Sequence, residues 1–218
     1  MTYEQVKQDE AVRVYIDQAD ASLKALGFTE HSFQHVTRVA QTAGWILETL
    51  GYPGRTVELV KIAGYLHDIG NVVNRVDHSQ SGAVMAFRIL DRMNFPPEEI
   101  AAIVTAIGNH DECTGQPVSA FAAALILADK SDVRRSRVRD KATVALDIHD
   151  RVNYSVTDCH LEFDEQRTSI RLILTVDTEL GSVMEYLEIF MKRMLLCQKA
   201  AQALGLIFHL VINGQLLV

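Results

Sequence analysis

The sequence predicts a mostly α-helical fold that carries a small α+β extension at its C-terminus. Up to about residue 131, apolar side chains recur at intervals of three and four, as one buried helix face requires. After about residue 148 the pattern changes, and segment 170–176 alternates between apolar and mostly polar positions, which is typical of a strand with one buried face. We therefore predict two domains, a helical domain over 1–145 and an α+β extension over 146–218.

The helical part is predicted to contain six successive helices. Thr2 and Gln5 have the spacing of a capping box and open the first helix, which Gly27 ends. Pro96 and Pro97 open the fifth helix, because proline is tolerated in the first turn. The predicted helices cover about 2–26, 29–50 with Thr29 as N-cap, 56–69, 79–90 with Ser79 as N-cap, 97–110 and 119–131.

The extension is predicted to place strands around one long helix. Ser182 and Glu185 form a second capping box at the start of that helix, and Gly205 ends it. Asn213-Gly214 is a strong signal for a tight hairpin between two strands. The predicted elements are a strand at 152–163, a turn at 164–167, a strand at 170–176, a helix at about 182–204, and strands at 206–212 and 216–218.

Composition and charge exclude several classes of protein. The net charge of −7 argues against a binder of nucleic-acid polymers or of membrane surfaces, since both favour a basic face. Cys113, Cys159 and Cys197 are widely spaced and contain no CxxC pair, which indicates reduced thiols. The start of the chain does not resemble a signal peptide, and no uncharged stretch reaches the ~20 residues that span a bilayer. We expect a soluble, cytoplasmic protein.

An imidazole and a carboxylate stand side by side in segment 64–70, which ends in His67-Asp68-Ile69-Gly70. Adjacent residues on a straight helix point about 100° apart. Both side chains can therefore reach one metal ion only near the helix end, where the glycine releases the backbone. Taken alone, the pair favours an ordinary hydrogen-bonded dyad.

Further histidines and carboxylates extend this dyad into an ordered series. The series is His35, His67-Asp68, His78, His110 and Asp129. The local segments are His35-Val36-Thr37-Arg38-Val39-Ala40, His67-Asp68-Ile69-Gly70, His78-Ser79-Gln80-Ser81-Gly82-Ala83 and Ala128-Asp129-Lys130. Over roughly residues 25–135, the chain resembles the HD superfamily of metal-dependent phosphohydrolases.

The resemblance implies an HD-domain helical bundle with a dinuclear metal site. It implies that His35, His67, Asp68 and Asp129 bind a first ion, and that His78 and His110 bind a second ion with Asp68 bridging the two. Imidazole and carboxylate without thiolate suit divalent Mn, Fe, Zn, Ni or Co, with Mg as a further candidate. The implied mechanism is hydroxide attack on phosphorus, and we assign the catalytic roles to Asp68 and Lys130.

The chain departs from the family pattern at two positions. Asn71 stands where many relatives have a lysine, so the cation that binds phosphate must come from elsewhere, and Lys130 is the nearest candidate. Asn109 stands where some two-metal relatives have a further histidine. A basic cluster follows the series, and it either binds an anionic substrate or forms a solvated connector. The cluster is Arg134, Arg135, Arg137, Arg139 and Lys141.

Four nearby residues are candidates for supporting roles. Asp111 and Asp132 are candidate acceptors that orient the ligand imidazoles. His31 and Arg38 lie four residues before and three residues after His35, on the same predicted helix face. His31 is then placed near the cavity mouth, and Arg38 either points into the site or pairs with an acid.

Three functions compete at this point. The first is hydrolysis of a small phosphorylated substrate, such as a nucleotide or another phosphorylated metabolite. The second is a di-iron oxygenase, which a few HD relatives are. The third is a catalytically silent module that senses metal and nucleotide. In that case the extension is an interaction surface or the interface of a homodimer. Fold alone does not decide between them.

Overall fold

A helical bundle forms the first two-thirds of the chain, in a computed structural model that describes residues 1–140, 142, 144 and 147–217. The bundle helices are α1 (Tyr3–Gln8), α2 (Glu10–Ala25), α3 (Phe33–Thr49), α4 (Gly54–Leu66), α5 (His78–Arg92), α6 (Pro97–Gly108) and α7 (Ala120–Lys130). Short 3₁₀ turns lie at Ile69–Val72 and Arg135–Arg137. The prediction of a mostly helical fold is confirmed. None of the described helices is both long and apolar enough to cross a lipid bilayer.

The core of the bundle forms where α3 and α4 pack against each other and against α7. These helices bury nearly continuous apolar faces, and in α7 every residue from Ala122 to Ala128 is buried. Gly64 lets α4 approach α3 closely, because a Cβ atom there would lie 2.7 Å from the Cα atom of Ala40. The crossing places the C-terminal end of α4 deep in the protein.

The C-terminal part forms a four-stranded sheet with two further helices. Its elements are α8 (Ile148–Ser155), β1 (Val156–Phe163), β2 (Ser169–Val176), α9 (Val183–Ala203), β3 (Ile207–Ile212) and β4 (Gln215–Leu216). The strand order is β1-β2-β3-β4, with β2 and β3 parallel and the other two pairs antiparallel. The predicted turn at 164–167 and the predicted hairpin at Asn213-Gly214 are both present. Of the last predicted strand, Val218 lies outside the described residues.

The extension packs directly on the bundle. Helix α9 lies against α7 and buries Tyr186 and Phe190. The Arg38 guanidinium on α3 donates to the backbone carbonyl of Cys159 on β1, at 2.9 Å. The predicted domain boundary between residues 145 and 146 lies outside the described residues.

Several predicted helix ends were wrong, and local hydrogen bonds explain why. The predicted first helix breaks at Asp9, which has extended backbone angles and whose carboxylate accepts from the Val12 amide to cap α2. Helix α3 begins after Ser32 instead of Thr29. Helix α5 begins one residue before Ser79, after the left-handed Asp77. The first part of the predicted strand at 152–163 belongs to α8.

Candidate metal centre

Six polar side chains from five helix ends meet at one point inside the bundle. His35 lies in the first turn of α3, His67 ends α4 and Asp68 follows it. The other three are His78 at the start of α5, His110 just after α6, and Asp129 in the last turn of α7. The four imidazoles are almost completely buried. The structure thus brings together every residue that the sequence analysis assigned to metal binding.

The first part of the centre is formed by two histidines and two carboxylates. The Nε2 atom of His35 lies 3.5 Å from Asp68 Oδ2 and 3.4 Å from Asp129 Oδ1. The Nε2 atom of His67 lies 3.2 Å from Asp68 Oδ2 and 3.6 Å from Asp129 Oδ1. One side of the Asp68 carboxylate therefore faces two imidazole nitrogens.

The second part of the centre lies on the other side of the Asp68 carboxylate. Asp68 Oδ1 is 3.5 Å from His78 Nε2, which is in turn 3.3 Å from His110 Nε2. The Asn71 amide also donates to Asp68 Oδ1, at 3.0 Å. The two oxygens of Asp68 are thus divided between two pairs of histidines.

Each of the four imidazoles is oriented by an acceptor on its outer side. His35 Nδ1 donates to Asp132 Oδ2 at 2.7 Å, as the sequence analysis proposed for Asp132. The other three Nδ1 atoms donate to backbone carbonyls. Asp111, the other candidate acceptor, therefore does not orient any of the four rings through Nδ1. The acceptors are Gly64 for His67 at 2.8 Å, Arg75 for His78 at 3.1 Å and Ile107 for His110 at 2.6 Å. A carbonyl and an ionised carboxylate can only accept a hydrogen bond, so each of the four Nδ1 atoms carries a hydrogen. The Nε2 atom of each ring then points inward.

The inward-facing nitrogens fit a bound cation. The Nε2 atoms of His35 and His67 are buried and have no hydrogen-bond partner. The Nε2 atoms of His78 and His110 lie 3.3 Å apart, and Arg75 Nη1 lies 3.4 Å from that of His78. Opposed lone pairs repel unless a cation lies between them, and buried unpaired polar atoms are costly. Among the described residues, the two groups with metal-ligand spacing are His35 with His67 and Asp129, and His67 with Asp68 and His110.

Burial and neighbouring charges shift the pKa values of His67 and His110 in opposite directions. Burial lowers the pKa of His67, but the Asp68 and Asp129 carboxylates outweigh it and raise that pKa to about 10. Burial, reinforced by the charge on His67, lowers the pKa of His110 to about 3. Despite burial, the neighbouring imidazoles and Lys130 hold the pKa values of Asp68 and Asp129 well below their usual range. Both carboxylates are therefore ionised at neutral pH.

Comparison with known proteins identifies the family. The family model described as HD domain matches residues 32–152, which contain all six side chains of the centre. The chain belongs to the HD domain family. It is also 26% identical over 211 residues to the uncharacterized protein MJ1020 of Methanocaldococcus jannaschii, covering 86% of this chain and 81% of that protein. A crystal structure of a predicted HD superfamily hydrolase from an uncultured Thermotogales bacterium is 24% identical, with a TM-score of 0.43, over 60% of this chain and 73% of that one.

A cavity of about 430 Å³ opens over the metal centre of this HD domain. Its floor includes Asp68, His78, His110 and Asp129. Its lining also includes Asn153, Phe190 and Arg193, which follow the residues that match the family model. The volume lies within the range of about 300–1,000 Å³ that is typical of small-molecule sites.

Four basic side chains line this cavity in a protein of net negative charge. Lys130 is buried, and its ammonium lies 2.7 Å from Asp129 Oδ2. Arg137 donates to the backbone carbonyls of Glu30 and Asp132, at 2.9 and 2.8 Å. The remaining two are Arg75 and Arg193.

The basic cluster that follows Asp129 divides between the cavity and the surrounding scaffold. Only Arg137 of its described members lines the cavity. Arg134, Arg135 and Arg139 pair with acids elsewhere, at Asp132, Asp177 and Asp20 respectively. Lys141 lies outside the described residues. Arg137 can still be a substrate contact, which stays a prediction, whereas Arg134, Arg135 and Arg139 are partly buried ion-pair members and do not form a solvated connector.

His31 and Arg38 have different positions relative to the HD centre. His31 lies before α3, lines the cavity and donates from Nδ1 to the Thr29 carbonyl, at 2.7 Å. Arg38 points away from the cavity and pairs with Asp132, at 3.2 Å. The sequence analysis missed Arg75 and Arg193 as cavity residues, because neither lies beside a recognised motif residue. The one available signal was the missing charge at Asn71, four residues before Arg75.

Proposed function

We propose that this HD domain protein is a metal-dependent phosphohydrolase that cleaves a phosphate ester of a nucleotide or another small phosphorylated metabolite. The observation that carries the proposal is the set of four inward-facing imidazole Nε2 atoms around the divided Asp68 carboxylate, beneath a cavity that four basic side chains help to line. Such a donor set suits divalent transition metals.

The residues would hold the ions in two groups. His35, His67, Asp68 and Asp129 would hold one ion, and His78 with His110 would hold the second, with Asp68 shared. When bound, such ions polarise phosphoryl oxygens and lower the pKa of water.

The protein's own side chains would position the substrate and balance its charge. Asp132 and three backbone carbonyls hold the ligand rings in place, so that little reorganisation is needed. Lys130 is our candidate for stabilising charge on the phosphoryl group, since its ammonium lies at the floor of the cavity beside Asp129. The cavity volume leaves room for an organic group beyond the phosphate.

The proposal can be tested by metal analysis combined with a substrate screen. Purified protein should contain about two transition ions per chain. With Mn²⁺, it should release inorganic phosphate from one class among nucleoside monophosphates and other phosphomonoesters. Asp68→Ala should abolish both metal retention and phosphate release, because it removes the shared carboxylate.

His160→Ala is the matched control, because that ring is half exposed and pairs with Asp158 on β1, away from the six residues of the centre. It should keep its metal and its activity. Full activity of Asp68→Ala would refute the proposal. If no phosphate is released with any metal, a sensor is favoured instead. An absorbance change of the iron-loaded protein with O₂ and a candidate substrate would favour an oxygenase.

A further inference from the structure

We propose that Arg75 binds the phosphate group of the substrate and thereby supplies the positive charge that Asn71 lacks. This inference rests on the proposed phosphohydrolase function and names a further substrate-binding residue for it. Arg75 lies in the segment between the 3₁₀ turn at Ile69–Val72 and α5, outside the motif residues that the sequence analysis recognised.

The Arg75 guanidinium lies beside both parts of the metal centre. Its Nη1 atom is 3.4 Å from Asn71 Oδ1 and 3.4 Å from His78 Nε2. Asn71 in turn donates to Asp68 Oδ1. The side chain is half-buried and lines the cavity. A group bound over Asp68 would therefore be within reach of this guanidinium.

Arg75 differs from the other basic residues of the cavity in its charge partners. Lys130 pairs with Asp129 at 2.7 Å, and Arg193 pairs with Glu112 at 2.8 Å. Among the residues that the structure describes, no carboxylate lies within ion-pair distance of Arg75. Its charge is therefore available to an anionic ligand.

The histidine next to Arg75 explains how the guanidinium becomes available. His78 Nδ1 donates to the carbonyl of Arg75 itself, so His78 Nε2 is left as an acceptor for Arg75 Nη1. This nitrogen has a single lone pair. If His78 uses that lone pair as a metal ligand, the Nη1–H group has lost its acceptor and needs another. A phosphate oxygen fits this need, since the planar guanidinium can donate two parallel hydrogen bonds to it.

An aromatic ring holds the guanidinium in this position. The Arg75 guanidinium lies 5.6 Å from the centre of the Phe28 ring, which also lines the cavity. A cation over an aromatic face is attracted to it and loses less freedom when it binds an anion. Phe28 would thus favour the orientation in which Arg75 faces the metal centre.

Binding of inorganic phosphate to the metal-loaded protein tests the inference without requiring turnover. Isothermal titration calorimetry should show that Arg75→Ala binds phosphate about ten- to a hundredfold more weakly than wild type, as expected for loss of a charge-assisted contact. Arg75→Lys should recover part of the affinity. Both variants should retain the wild-type metal content.

Arg88→Ala is the matched control, because Arg88 lies on α5, is largely exposed and pairs with Asp91. Its phosphate affinity should equal that of wild type. Equal phosphate affinity in Arg75→Ala, loss of metal from that variant, or no phosphate binding by wild type would overturn the inference. Phosphate binding that depends on Arg75, without hydrolysis of any ester, would overturn the proposed function and leave the Arg75 contact standing.

Discussion

Each imidazole of the metal centre has one nitrogen held by the protein and one left for a ligand. The outward hydrogen bonds fix the ring and its hydrogen, while the inward nitrogens are buried beside carboxylates. Without a metal ion, His67 Nε2 faces the Asp68 and Asp129 carboxylates at 3.2 and 3.6 Å, and these carboxylates favour a proton on the ring. A bound metal ion would take the place of that proton.

Metal loading should release protons at neutral pH. Burial opposes the charge on His67, but Asp68 and Asp129 raise its pKa to about 10, so the ring is protonated in the metal-free protein at pH 7. A metal ion binds only the neutral ring. We expect net release of protons on metal loading and weaker metal binding as the pH falls. Calorimetry in two buffers with different ionisation enthalpies measures this, and identical heats would contradict it.

Loss of the Asp132 carboxylate should weaken metal binding without removing a ligand. Asp132→Asn removes the negative charge that orients His35, and such changes typically cost about 10–100-fold in metal affinity. Competition with a chelator measures this affinity. Asp158→Asn, at an exposed position on β1, should bind metal like wild type. If Asp132→Asn and Asp158→Asn bind the metal ion with equal affinity, Asp132 has no part in holding it.

The residues with a chemical signature were the predictable ones. His35 and Asp129 could be assigned because their order with the other histidines resembles that of the HD superfamily. The acceptors that orient them are mostly backbone carbonyls, which every residue carries. Arg75 could not be assigned, because an arginine in a loop is usually solvated.

At the scale of helices, the apolar faces were predictable from the spacing of residues, but the positions at which the helices begin and end were not. The spacing of apolar residues continues across Asp9, yet its side chain caps a new helix there. Ser32 and Thr29 are both good N-caps by residue type, and only tertiary contacts select Ser32. Asp77 begins α5 from a left-handed conformation that the apolar pattern does not reveal.

The contact between the 3₁₀ turn and α5 should tolerate no side chain at Gly70. A Cβ atom there would lie 2.0 Å from the His78 carbonyl oxygen and 2.4 Å from the Gly82 nitrogen. Gly70→Ala must separate these backbones, so we expect a loss of about 3 kcal/mol or more in the free energy of unfolding and reduced metal content. Urea unfolding and elemental analysis measure both.

Gly54→Ala is the control for this substitution. Gly54 begins α4, and a Cβ atom there would meet no heavy atom within 4 Å. The free energy of unfolding should stay the same or rise by about 0.4–1 kcal/mol. An equal loss of stability in both variants would mean that the tight contact at Gly70 is not the cause.

At the scale of the whole molecule, the extension completes the cavity that the bundle begins. The bundle supplies the candidate metal centre, while Phe190 and Arg193 of α9 contribute to the lining of the cavity above it. The sequence predicted both parts but not how they meet. Contacts between elements distant in sequence leave no periodic pattern, so the role of α9 required the structure.

The bundle and the extension should unfold together. Trp45 is the single tryptophan of the chain, and its ring on α3 lies 5.1 Å from the Phe163 ring on β1. Its fluorescence therefore reports separation of the two parts. During urea unfolding, the fluorescence and far-UV circular dichroism transitions should coincide. A fluorescence change at lower urea than the loss of helix would show that the extension detaches first.

The parallel pairing of β2 with β3 restricts how a ligand reaches the metal centre. Helix α9 is the connection between these two strands, and only short segments join it to each of them. A helix tethered at both ends to adjacent strands cannot swing outward as a lid while the sheet stays intact. Ligands must then enter the cavity without displacement of α9, and the lining residues Leu26 and Phe28 expose apolar surface to them.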